Sequence, residues 1–149
     1  MVVLMVPAWL GGLLPPGEHW ASWDEIEQRF GFTSRRRRLL EGLRAAITAL
    51  EMAGCQRVWI NGSFVTDKEA PADFDMCWDP QGVDPVLLDP VLLDLDPPRR
   101  AQHEKYGGDI LPNVDEGTTG SLFVEFFQVD KETGDAKGIV GLDLGRGSG

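Results

Sequence analysis

Four residues in the middle of the chain, Gly62, Ser63, Asp73 and Asp75, have the types and spacing that phosphate and metal chemistry requires. Side chains alternate between the faces of a strand, so Asp73 and Asp75 place two carboxylates side by side. Such a pair repels unless a cation lies between its members, and hard oxygen ligands suit Mg²⁺ or Mn²⁺. The Gly-Ser turn offers backbone N–H groups and a hydroxyl, the donors that a phosphate chain needs. Together the four residues indicate phosphoryl or nucleotidyl transfer.

Two helices are predicted ahead of these residues. Ser22 and Glu25 form a capping-box pattern that opens a short helix, and Ser34 can cap a longer helix over residues 35–53. The longer helix carries an apolar stripe at intervals of three and four residues, which must pack on a sheet. The stripe consists of Leu39, Leu40, Leu43, Ala46, Ile47 and Leu50.

The remaining pattern predicts five strands and a further helix. Asp84 and Asp89 each precede a proline and can start a helical turn, so residues 82–98 are expected to form a broken helix. Helix is expected to resume over residues 99–105. The predicted strands are residues 57–61, 73–78, 109–111, 121–129 and 138–144, the last two forming a hairpin.

This order of elements, α-α-β-β-α-β-β-β, predicts an α/β (α+β) fold in which a mixed β-sheet is backed by helices. Residues 1–149 are expected to form a single domain, with an extended arm over residues 1–18 and a frayed tail over residues 145–149. The apolar start of the arm has no basic segment and is interrupted by Pro7. It therefore reads as neither a signal peptide nor a membrane span.

The composition narrows the possible partners. The formal net charge of −10 makes the chain a poor general binder of nucleic acid, so an RNA partner is disfavoured. A nucleotide delivered with Mg²⁺, or a basic protein, remains compatible with this charge. The two cysteines, Cys55 and Cys77, give no disulfide framework, which fits a reducing, cytoplasmic location. Cys77 shares the face of the Asp pair, but a buried core thiol is expected rather than a metal ligand.

Four consecutive arginines and two isolated histidines could also take part in binding. Four consecutive cations at a helix start oppose the helix dipole, which suggests a functional reason for them, such as binding of RNA or a triphosphate. They are Arg35, Arg36, Arg37 and Arg38. A solvated basic edge that pairs with carboxylates is the favoured interpretation. His19 and His103 have no nucleophile motif around them, and each is expected to have an ordinary polar or capping role.

The pattern of Gly62-Ser63, nine intervening residues and then Asp73-Phe74-Asp75 resembles the hallmark of the DNA polymerase β-type nucleotidyltransferase superfamily. More closely, the chain resembles a family of small bacterial nucleotidyltransferase-like proteins of uncharacterised function. The stretches that carry this second resemblance are residues 13–19, 59–68 and 124–128. The resemblance implies a minimal nucleotidyltransferase fold.

It also implies how the site would work. Asp73 and Asp75 would be two of three carboxylates that hold Mg²⁺ or Mn²⁺. Asp109 is the favoured third carboxylate, because it opens a short strand after a helix, and Glu125 is the alternative.

Gly62, Ser63 and the loop residue Lys68 would bind the nucleoside triphosphate, with ATP the expected donor. The implied activity is transfer of NMP to a protein or RNA hydroxyl. The alternative is an antitoxin-like binding module that neutralises a partner protein, such as a toxin, which the small size and acidic charge suit.

Overall fold

A five-stranded mixed sheet forms the centre of the computed structural model, which describes residues 6–114, 122–129 and 134–145. The strands are β1 (Gly17–Trp20), β2 (Arg57–Asn61), β3 (Phe74–Trp78), β4 (Gly108–Pro112) and β5 (Gly138–Asp143). They lie in the order β1-β5-β2-β3-β4. The outer pairs, β1 with β5 and β3 with β4, are parallel, and β2 is antiparallel to both of its neighbours. The predicted mixed sheet of an α/β (α+β) fold is confirmed.

Four helices and two 3₁₀ turns surround the sheet within the described residues. They are α1 (Trp23–Phe30), α2 (Ser34–Met52), α3 (Arg100–Lys105), α4 (Phe123–Phe126) and the turns Gly62–Val65 and Pro90–Leu93. The capping box that opens α1 is confirmed. The cap of α2 is Thr33 rather than Ser34, because the Thr33 hydroxyl accepts from Arg36 N. None of the helices described is long and apolar enough to cross a membrane.

The two faces of the sheet bury different sets of side chains. The larger cluster packs the apolar stripe of α2 against Phe74, Met76 and Trp78 of β3. The smaller cluster contains Cys77 and Val124, together with Trp59 and Ile139. Residues of β3 therefore alternate as predicted, and the face that carries Asp75 is opposite the one covered by α2.

The predicted hairpin of residues 121–129 with residues 138–144 is wrong. Part of the first segment forms α4, and β5 pairs on both sides with β1 and β2, so no sheet edge is left for it. The backbone N–H of Val124 donates to Asn113 Oδ1 at 3.1 Å. This hydrogen bond lies at the start of α4 and favours the helical turn despite the β-prone composition of the segment.

The expectation of a plain N-terminal arm also fails in part. Residues 17–20 form β1, which the sequence analysis missed. Residues 1–5 of the arm, Ser121 of the predicted hairpin and residues 146–149 of the tail lie outside the described residues.

The segment between β3 and α3 is only partly helical. The side chains of Asp84 and Asp89 each accept from the backbone N–H two residues on, at 3.0 Å and 3.1 Å, so the predicted Asp-Pro capping is confirmed. Only Pro90–Leu93 completes a helical turn. The predicted broken helix is therefore reduced to capped turns.

Candidate functional site

A row of polar residues crosses three adjacent strands. Asn61 of β2 is paired in register with Asp75 of β3, and Asp75 is paired with Asp109 of β4. Asp73 immediately precedes β3 and lies two residues from Asp75, so their side chains leave the sheet on one face. The register therefore makes Asp75 and Asp109 direct neighbours. Glu125, the alternative third carboxylate, is exposed on α4.

Gly62 lies directly against the Asp75 carboxylate. A Cβ added at Gly62 would be 2.1 Å from Asp75 Oδ2, and Gly62 has a φ of +79°, in the left-handed region. Only glycine fits both the contact and this backbone conformation without strain. The Gly-Ser turn and the second carboxylate of the Asp-x-Asp pattern thus form one structural unit.

His103 of α3 lies between two of the predicted carboxylates. Its Nε2 is 2.9 Å from Asp109 Oδ1, and its Nδ1 is 4.0 Å from Asp73 Oδ2. Asp73, His103 and Asp109 each offer one ligand atom, and these atoms all lie within 4.8 Å of one another. The three side chains are 35%, 34% and 28% exposed, so an ion can reach them from solvent.

His103 has the polar role that was expected, but its partners are two of the predicted site carboxylates. The reason lies in its neighbour Gln102, which is fully buried on α3. The Gln102 amide donates to Ile110 O at 3.0 Å and accepts from Ile110 N at 2.8 Å. These bonds fix α3 along β4, so the next residue faces Asp109 near the start of that strand. No sequence motif signals this arrangement.

Arg99 is a second site residue that the sequence analysis missed. It precedes α3 in the left-handed conformation, with φ 52° and ψ 49°, which costs a non-glycine residue about 1 kcal/mol. Its Nη1 is 3.8 Å from Asp109 Oδ1, and its buried Nε has no hydrogen-bond partner in the described part of the chain. The Arg99 guanidinium therefore lies beside Asp109 and has an unused donor at Nε.

The arginines that open α2 organise the loop between β2 and β3. Arg36 is fully buried and donates to the carbonyl oxygens of Phe64, Thr66 and Lys68 at 2.7, 2.6 and 2.8 Å. Arg35 donates to the carbonyl oxygens of residues 71 and 72. The expectation of a solvated basic edge is wrong for Arg36, because its partners are backbone carbonyls and not carboxylates. Burial lowers the pKa of Arg36 to about 10, so it stays charged at neutral pH.

The electrostatics are those of crowded carboxylates. The pKa of Asp73 is raised, first by burial and further by the charge of Asp109, while His103, Arg35 and Lys68 act in the opposite direction. Lys68 is exposed, and its charge is one of those that lower the pKa of Asp73. A ligand that adds positive charge would relieve the repulsion between the two carboxylates.

Two buried residues complete the carboxylate face. Burial raises the pKa of Cys77 to about 12, which keeps it a protonated thiol, and the expected core role is confirmed by its place in the smaller cluster. Asn61 is fully buried, and its Oδ1 has no hydrogen-bond partner among the described residues. An unpaired buried oxygen costs about 1–3 kcal/mol.

The family model of DUF6932, a family of unknown function, matches residues 7–143 and so spans every element that builds the site. Neither the curated proteins nor the solved structures gave a match to the chain.

Proposed function

We propose that this chain, which belongs to DUF6932, is a divalent-cation-dependent nucleotidyltransferase. It would transfer NMP from a nucleoside triphosphate, with ATP as the expected donor, to a hydroxyl group. The contact of Gly62 with Asp75 carries the proposal, because it joins a turn suited to phosphate with a row of carboxylates. The resemblance of this pattern to polymerase β-type enzymes gives the same reading.

Each residue has a distinct part in this reaction. Asp73, Asp75 and Asp109 would hold Mg²⁺ or Mn²⁺, which when bound neutralises charge on the triphosphate. Gly62 would offer its backbone N–H to the phosphates, and Ser63 would donate a hydrogen bond to them from its hydroxyl. The acceptor hydroxyl would lose its proton to a carboxylate, form a bond to the α-phosphorus and release pyrophosphate.

Two cations are available for the triphosphate tail. Lys68 is exposed in the loop after Ser63, and Arg99 approaches Asp109 from the other side of the row. The strongly acidic chain favours a protein hydroxyl over RNA as the acceptor, since RNA needs cations along its phosphates. The two buried free thiols suit the reducing cytoplasm as the place of action.

The direct test is transfer of label from each α-labelled nucleoside triphosphate to candidate proteins and RNAs. Wild type should label an acceptor with Mg²⁺ or Mn²⁺, and Asp75→Asn should not. Asp96→Asn is a matched control, because Asp96 is exposed on the segment before α3. Equal labelling by wild type and Asp75→Asn, or no labelling by wild type with any donor, would refute the proposal.

Exposed apolar side chains between β3 and α3 favour a second candidate function, the antitoxin-like binding module. Val86, Leu87 and Leu93 are 87%, 61% and 52% exposed on a segment that also carries Asp84 and Asp94. Apolar groups among acidic ones suit a basic partner protein.

A partner that is still neutralised after Asp73→Ala and Asp75→Ala, but escapes after Val86→Ser with Leu87→Ser, would establish binding without catalysis. Loss of neutralisation in the Asp variants alone would contradict this second function.

A further inference from the structure

Two carboxylates and one imidazole converge from three separate parts of the fold. Asp73 comes from the residue before β3, His103 from α3 and Asp109 from β4. The imidazole contributes a nitrogen ligand to a site whose other candidates are all carboxylates. Asp75 lies outside this group of three.

We propose that Asp73, His103 and Asp109 form a subsite for a first-row transition cation, with Zn²⁺ as the best fit. The subsite shares Asp73 and Asp109 with the Mg²⁺ or Mn²⁺ site proposed above and adds His103, whereas a Mg²⁺-bound triphosphate would lie beside Asp75 and Gly62. Only the role of this subsite as one half of a two-metal site rests on the proposed function. The binding of the cation itself follows from the three side chains.

The distances fit a small cation. Zn²⁺ binds nitrogen and oxygen at about 2.0–2.2 Å in a tetrahedron, which puts neighbouring ligand atoms about 3.3 Å apart. The ligand atoms of the three side chains all lie within 4.8 Å of one another, and the distance from His103 Nε2 to Asp109 Oδ1, 2.9 Å, is already close to this value. The three side chains are about one-third exposed, so they have room to bring the remaining ligand atoms closer together around a cation.

The ligand chemistry selects the class of metal. Mg²⁺ prefers oxygen ligands throughout, whereas imidazole suits Zn²⁺ and similar cations. Three protein ligands leave a fourth position open, as in catalytic zinc sites.

The scaffold holds this arrangement in place. Gln102 and Ile110 join α3 to β4 through two buried hydrogen bonds, so His103 and Asp109 keep their relative position without a metal. A preformed site avoids the cost of ordering its ligands at binding.

Zinc titration of the tag-free full chain, followed by calorimetry, is the first test. Wild type should bind one Zn²⁺ per chain, and His103→Gln should weaken binding by at least about tenfold, the loss expected even for a supporting residue. His19→Gln is the matched control, because His19 lies on β1 at the far edge of the sheet and contacts Pro15 O. Unchanged or tighter Zn²⁺ binding by His103→Gln would overturn the proposal, since an imidazole that only neutralises carboxylates competes with the cation.

A second measurement uses the wild type alone and does not depend on how the variants fold. The ring protons of the two histidines give separate NMR signals, and paramagnetic Co²⁺ should shift or broaden those of His103. The signals of His19 should change little, because four strand spacings of about 4.8 Å separate β1 from β4. Equal effects on both rings, or none on His103, would refute the subsite. Both tests use the metal alone, so their failure is separate from a failure of nucleotide transfer.

Discussion

Arg36 should be among the most costly residues to replace. Its guanidinium bonds five carbonyl oxygens, and two of these bonds, to Phe30 O at 3.2 Å and Phe64 O at 2.7 Å, are fully buried. Leaving two buried carbonyls unpaired costs about 1–3 kcal/mol each, or about 2–6 kcal/mol together. Replacing the charge with Met also removes the cost of burying it. We therefore expect Arg36→Met to lower the free energy of unfolding by about 2–4 kcal/mol.

Urea unfolding followed by tryptophan fluorescence measures this change. Arg38→Met is the matched control, because Arg38 is exposed on the same helical turn and should change stability by no more than about 0.5 kcal/mol. Arg36→Lys keeps the charge but lacks the planar fork of donors, so it should also be destabilised. Equal stabilities of Arg36→Met and Arg38→Met would refute the role of Arg36 in holding the loop after Gly62.

Three further predictions concern single contacts. Gly62→Ala should lower the free energy of unfolding by about 2 kcal/mol, because the new Cβ meets the Asp75 carboxylate. The loss should be smaller in the Asp75→Ala background, which lacks that carboxylate. Equal losses in both backgrounds, measured by urea unfolding, would contradict the contact. Burial tends to raise the pKa of Asp89, but hydrogen bonds from Lys105 and others lower it overall. The stability that the ionised Asp89 contributes is therefore present above the pKa of an unfolded aspartate, about 3.9, and is lost as the pH falls through the lower pKa of the folded state. Asp89→Asn should lower the free energy of unfolding by about 1–2 kcal/mol at neutral pH. In urea titrations below about pH 4 the difference in stability from wild type should narrow, and a difference that widens there would contradict this role of Asp89. Arg99→Gly should be more stable than Arg99→Ala by about 1 kcal/mol, because only glycine adopts φ 52° freely, and it should therefore unfold at a higher urea concentration. Equal urea midpoints for the two variants would argue against strain at this residue.

Local signals explain which parts of the fold the sequence could predict. The capping box at Ser22 and the apolar stripe of α2 depend on residues three and four apart, so both helices are predictable. The alternation of Phe74, Asp75 and Met76 likewise fixes the faces of β3 within a few residues. In each case the residues that determine the element are contained in it.

Non-local contacts explain the rest. The strand β1 is recognised only through its pairing with β5, far along the chain. His103 reaches the site because Gln102 bonds Ile110, and Arg36 is buried because distant carbonyls surround it. Neither contact has a sequence motif, so the carboxylates of the site were predictable but the histidine and arginines around them were not.

The position of β5 in the sheet has a consequence for the order of assembly. The site strands β2, β3 and β4 pair through a continuous stretch of chain, and their pairing can form while the rest is still being synthesised. β1 waits for β5, because Gly17 pairs with Gly138, and contacts of such long sequence separation form slowly. Until residues 138–143 arrive, Val58, Trp59 and Ile60 of β2 present an open strand edge. The nascent chain is then most prone to pair with another copy through that edge, and the late arrival of β5 ends this vulnerability.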